Sequence, residues 1–215
     1  MPTTTPTAAS SGRFPMIGTH RCLDFVNTEI VEQGRRVELL SDFADLVGWL
    51  EETEMLGTTQ AKQLLHQWGQ TSKGVRALSE ARAFRRLLRE MVEGIVEGEP
   101  PSAHVLHKIN VLLRCRTGEV SLVRTRHGIE RRVSFAPREP IHLLVPVADS
   151  ASELLCHGDL TLIRKCKNPR CILYFYDTTK NHSRRWCSMS VCGNRTKVAA
   201  HHRRRRGKTA RRASA

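Results

Sequence analysis

Four cysteines near the end of the chain, Cys166, Cys171, Cys187 and Cys192, form two pairs that each enclose four residues and stand fifteen residues apart. Thiolates bind Zn²⁺ at about 2.3 Å, and a knuckle turn presents two sulfurs from one loop, so two such turns complete a tetrahedral Cys₄ shell. A closed shell leaves no position for a substrate water. The spacing therefore predicts a structural zinc that folds its own segment, a contribution on the order of 10 kcal/mol for a small metal module. Two disulfides are the alternative pairing. Zinc is favoured because seven cysteines is an odd number, the N-terminus has no secretory signal pattern, and cytosolic thiols stay reduced.

Charge separates the same segment from the rest. Residues 1–160 hold 19 basic and 20 acidic side chains, whereas residues 161–215 hold 16 basic side chains and one acid, Asp177. A Zn(Cys⁻)₄ centre carries −2, which still leaves roughly +13 on the last 55 residues. Such a field gathers polyanions, and nucleic acid is the expected partner. Candidate contacts are Arg184, Arg185, Asn194, Arg195, Lys197 and the run Arg203, Arg204, Arg205 and Arg206.

The elements that must position these residues can be read from periodicity. Residues 1–13, rich in Thr, Ser, Ala and Pro, read as a disordered N-terminus. Apolar spacing predicts helices over 20–29, from a Ser41 cap through Leu50 to a stop at Gly57, and over 59–68, 75–96 and 103–114. Alternation around Arg126, His127 and Gly128 predicts a hairpin between Gly118 and Phe135. A last helix runs from Pro140 to Leu155, with Pro146 out of place unless the helix starts there, and Gly158 closes it.

In the cysteine segment, Ile172–Tyr176 favours a short strand, and Ser188 can cap a helix. Five helical steps would turn a second sulfur by about 140°, so Cys187 must precede that helix. His201 and His202 lie roughly 13 Å beyond Cys192 along it, too far to share the metal. Cys22, Cys115 and Cys156 lack partners at ligand spacing and read as small buried apolar residues. The fold class is α+β: a mostly helical first domain with a β-hairpin, then a small Cys₄ zinc module of knuckle, short strand, knuckle and helix.

These residues resemble the CGNR zinc-finger family, whose tetrad stands here as Cys192, Gly193, Asn194 and Arg195. The resemblance extends to Cys166, Asn168, Pro169 and Cys171, to Phe175, Tyr176 and Asp177, and to Arg185, Trp186, Cys187, Ser188 and Met189. Thr178 and Thr179 stand where a serine is expected. The first domain resembles that family's usual companion, ABATE, through the run from Cys22 to Thr28. The implied organisation is an ABATE-like domain over 14–160, a CGNR-type zinc finger over 161–203 and an arginine-rich disordered tail over 204–215. The implied protein is a bacterial, stress-linked transcription regulator with a zinc-dependent nucleic-acid-binding module.

DNA is favoured over RNA as partner, with an RNA- or ribosome-associated factor as the alternative. A second copy of the chain and a small-molecule ligand of the first domain are the further partners considered. Asp177 is expected to orient an arginine among Arg184, Arg185 and Arg195, and Gly193 to let the backbone pass close to the metal. Asp24 and Asn27 interrupt an apolar helix, where capping or a buried hydrogen bond would explain them. No nucleophile motif, acid–base pair or Gly-rich phosphate loop occurs, so no enzyme is expected. No apolar run approaches the 18 to 20 residues or so that cross a bilayer, and a cytoplasmic, nucleoid-associated protein is expected.

Overall fold

The computed structural model describes residues 12–126 and 128–198. The disorder expected of the N-terminus falls mainly, and that of the arginine tail wholly, on residues outside this range. The architecture is α+β: a helical body with three separate two-stranded antiparallel sheets among the described residues, the last of them carrying the cysteine cluster.

The first helix, α1, covers Arg21–Val26 and is shorter than expected, because the Thr28 hydroxyl donates to the Phe25 carbonyl at 2.7 Å and turns the chain. Strands β1, Glu29–Glu32, and β2, Arg35–Glu38, follow as a hairpin where the apolar spacing predicts no strand. Its two-residue turn, Gln33 and Gly34, has φ of 49° and 81°, the left-handed pair that matches strand twist.

Helix α2, Phe43–Glu52, is capped by Asp42 rather than Ser41: Asp42 accepts from the Asp45 N–H, and the Asp45 carboxylate reaches back to the Ser41 and Asp42 N–H groups. Gly57 does not end α2 but sits at the N-cap of α3, Thr58–Trp68. Helix α4, Ser72–Glu97, begins earlier than expected because the Thr71 hydroxyl caps it, and Gly98 at φ 88° ends it. Helix α5 covers Ala103–Arg114, and the second hairpin pairs β3, Gly118–Thr125, with β4, Gly128–Phe135.

Pro140–Leu144 forms a 3₁₀ turn, and α6, Val145–His157, starts immediately after it. Pro146 therefore lies in the first turn of α6, where its missing N–H has no helical partner to lose.

Helix α4 runs through the middle of the body. Phe84 on it, Phe25 on α1 and Trp49 on α2 are fully buried and stack at ring separations of 6.5 and 5.0 Å from Phe25. The same helix carries Arg82, Arg85 and Arg89 toward the interior, one helical turn after another. Arg82 donates to the carbonyls of Leu40 and Ser41, Arg85 pairs with Glu38 and Thr28, and Arg89 donates to Val26 at 2.7 Å. Ile163 and Tyr174 of the cysteine segment belong to this main core, so the segment is packed onto the helical body.

Candidate metal centre

Strand β5, Ile163–Lys165, pairs antiparallel with β6, Tyr174–Tyr176, and the Cys166 N–H extends the ladder by donating to the Leu173 carbonyl at 3.0 Å. The first knuckle closes between them. Asn168 accepts from the Arg170 N–H through Oδ1 at 3.1 Å and from the Cys171 N–H through its carbonyl at 2.9 Å. These bonds satisfy a tight loop that points both sulfurs inward.

Asp177 shapes the second knuckle. Its carboxylate is fully buried and accepts from the Thr179 N–H at 3.0 Å, the Thr179 hydroxyl at 2.6 Å and the Arg184 N–H at 2.9 Å. Burial alone would raise its pKa, but these donors hold the carboxyl below the usual carboxylate range. Asp177 thus fixes the loop that delivers Cys187 by holding backbone and hydroxyl donors, where an arginine side chain had been expected. Thr179 supplies the hydroxyl in place of serine.

Arg184 lies over the Phe175 ring at 4.1 Å and donates to the carbonyls of Trp186, Cys187 and Ile17. Its Nε and Nη2 are therefore committed to holding the knuckle. The Lys167 N–H donates to the Arg185 carbonyl at 2.9 Å and ties the two knuckles together.

After Cys187, Ser188 accepts from the Val191 N–H and caps a wide π-helical turn, Met189–Gly193, which continues as helix over 194–198. The Ser188 carbonyl accepts from both Cys192 and Gly193, each at 3.0 Å. Cys187 precedes the helix as the rotation argument required, and the widened turn brings Cys192 round to face it. A Cβ on Gly193 would come within 2.5 Å of the Met189 sulfur, so the close neighbour there is Met189 rather than the cysteine cluster.

The four Sγ atoms lie within 4.8 Å of one another, and those of Cys171 and Cys187 are 3.7 Å apart. Zinc–sulfur bonds of about 2.3 Å in a tetrahedron imply edges of about 3.8 Å, so the cluster has the size of a Zn(Cys)₄ shell. All seven cysteines are free, and the four sulfurs converge on one point instead of forming two close pairs. The Cys187 N–H donates to the Cys166 sulfur at 3.4 Å.

As bare thiols the sulfurs compete for charge. Hydrogen bonds from Cys171 and Cys187 pull Cys166 toward thiolate and push the other two thiols up. Four thiolates this close require a multivalent cation between them, and an all-sulfur tetrahedral donor set fits Zn²⁺. Cys166, Cys171, Cys187 and Cys192 would hold it, and the closed shell would fix the two knuckles and the following helix.

The remaining cysteines divide. Cys22 is buried, and desolvation raises its pKa to about 12. Cys115 is half-buried and Cys156 exposed, which corrects the expectation that all three are buried; Cys156 lies on the solvent side of α6, whose inward face holds Ala151 and Leu154.

The cysteine segment is clasped by the helical body. The Asn27 carboxamide bonds both backbone groups of Tyr174, Arg89 donates to the Ile172 carbonyl at 2.9 Å, and the Tyr174 hydroxyl donates to Glu93 at 2.8 Å. Asn27 was visible as a polar break in an apolar helix; Arg89 left no such signal.

Of the candidate nucleic-acid contacts, Arg185, Asn194, Arg195 and Lys197 are exposed, Arg184 is half-buried in its structural role, and Arg203, Arg204, Arg205 and Arg206 lie outside the described residues, as do His201 and His202. The structure brings Asn194 and Arg195 to one helix face beside Arg170 and leaves Lys197 outside the groove they line.

A family model for ABATE, whose description reads "putative stress-induced transcription regulator", matches residues 19–158. A second, for the CGNR zinc finger, matches residues 163–205 and includes all four cysteines. No curated protein matches the chain.

Proposed function

This chain belongs to the ABATE family and carries a CGNR zinc finger, and from that premise we propose that it is a zinc-dependent, DNA-binding transcription regulator linked to stress. One observation carries the reading. Asp177, the sole acid among residues 161–215, is fully buried, so the exposed charges of the described part of the zinc finger are all positive. Arg170, Arg185, Arg195 and Lys197 then face a partner with no carboxylate of their own segment to neutralise them.

Zinc acts in this reading by fixing the two knuckles and the helix that displays Asn194 and Arg195. The chain binds rather than catalyses, because four thiolates leave no open metal position. The first domain senses a signal or mediates self-association, and the site of action is the cytoplasmic nucleoid. No helix among the described residues is long and apolar enough to cross a membrane.

The test is binding to labelled duplex DNA and to single-stranded RNA across a salt series. If about six phosphates are neutralised, log affinity for duplex DNA falls against log salt with a slope near −5. Preference for single-stranded RNA would replace the DNA reading with an RNA-associated factor. Salt-insensitive binding to a protein, with none to nucleic acid, would overturn both.

A further inference from the structure

A groove opens between the first domain and the zinc finger. One wall is the β1–β2 hairpin, represented by Val31, Gln33 and Gly34. The opposite wall is the first knuckle, at Asn168–Arg170, together with Ser190, Val191, Asn194, Arg195, Thr196 and Val198 of the helical segment after Cys187. The π-helical turn supplies Ser190 and Val191, and the helix that continues it supplies the other four.

The chemistry of this groove is that of a sugar–phosphate strand. Among the described residues its charged lining groups are Arg170 and Arg195, and no carboxylate lines it. Beside the guanidiniums lie apolar surfaces, Val191 at 45% and Val198 at 55% exposure, which suit deoxyribose or a thymine methyl. Gln33 and Gly34 at the hairpin tip are exposed, with amide donors and no charge. Glu32, beside the tip, stands opposite Arg35 in the ladder, and Glu29 pairs with Arg36 at 3.1 Å.

Building on the DNA-binding reading, we propose that one strand of duplex DNA lies in this groove and that the β1–β2 hairpin of the first domain contacts it directly. The first domain is then half of the DNA site as well as the place where a signal arrives. The hairpin is held in register with the metal centre through Arg89, which lies 3.7 Å from Glu29 and also donates to Ile172 in the cysteine segment. A change that shifts the hairpin relative to the knuckle alters the groove's width, and so the fit of a strand within it.

The test uses the full-length zinc-loaded protein and a labelled mixed-sequence duplex. Gln33→Lys adds a cation at the tip and is expected to steepen the salt slope by about 0.9, the increment for one further phosphate contact. Gln33→Glu is expected to weaken binding several-fold. Gln67→Lys and Gln67→Glu, exposed on α3 outside the groove, make the same net-charge changes and should leave the slope unchanged. Amide exchange at residues 31–36 should slow when duplex is added.

If the Gln33 variants behave like the Gln67 variants and residues 31–36 gain no protection, while Arg195→Ala still weakens binding, the hairpin contact is wrong and the DNA-binding reading stands. A wild-type protein that binds no duplex overturns both.

Discussion

The carboxamide of Asn27 is paired with the backbone of Tyr174, its Nδ2 donating to the carbonyl at 2.8 Å and its Oδ1 accepting from the N–H at 2.9 Å. An asparagine at the end of α1 thereby acts as one residue of a neighbouring strand. Tyr174 immediately precedes Phe175, which packs in the small core with Cys166, Cys187 and Cys192. The helical body and the metal centre are therefore joined at a buried, two-bonded contact.

Asn27→Ala leaves a buried donor and a buried acceptor of Tyr174 unpaired. Each orphaned group costs about 1–3 kcal/mol, so a loss of roughly 2–4 kcal/mol is expected in urea unfolding. Because the strand supports the knuckles, zinc competition with a chromophoric chelator should also show weaker retention of the metal.

Arg184 and Arg195 should separate cleanly. The Arg195 side chain is exposed and has no hydrogen bond or ion pair among the described residues, so Arg195→Ala should lower duplex affinity and make the salt slope shallower by about 1 with an unchanged melting temperature. Arg184→Ala removes the donors to Trp186 and Cys187. It should lower the melting temperature and weaken zinc retention.

Asp24 predicts a pH effect. Its carboxylate is buried, accepts from the Gly18 N–H at 2.7 Å, and has its pKa raised to about 6, first by desolvation. A raised acid pKa means that the folded state binds more protons than the unfolded state between about pH 4 and 6, so this group's contribution to stability falls as pH rises through that window. The stability of wild type minus that of Asp24→Asn should decline by about 3 kcal/mol at most from pH 4 to 7. A flat difference would mean that Asp24 titrates as an ordinary exposed acid.

The legible part of this protein was local. The paired cysteine spacing, the Ser188 cap, the order of Cys187 and its helix, and α5 all follow from residues within a turn or two of one another. The β1–β2 hairpin escaped because its strands are four residues each and its Gln33–Gly34 turn is a weaker signal than Asn-Gly. The inward arginines of α4 escaped for a different reason. A charged residue on a long helix is ordinarily solvated, and nothing near Arg89 reveals that its acceptor, Ile172, lies 83 residues away. Asp177 was singled out as the lone acid, but backbone donors two and seven residues downstream claimed it in place of any guanidinium.

Metal removal should act on one segment. Chelation under reducing conditions, or Cys192→Ser, should abolish the tetrahedral thiolate spectrum of the Co²⁺-substituted protein and expose Cys166 and Cys187 to thiol reagents. Most far-UV helical signal should remain, since α2–α5 pack in the main core. Loss of the whole helical signal would make the metal essential to the first domain as well.

The most direct measurement of the central claim compares duplex DNA binding by zinc-loaded and zinc-stripped full-length protein at physiological ionic strength, with the metal restored in a third sample. The account predicts at least a tenfold loss of affinity on stripping and full recovery on adding Zn²⁺. Equal affinity in all three samples would contradict it, by assigning the binding to charge that needs no folded zinc finger.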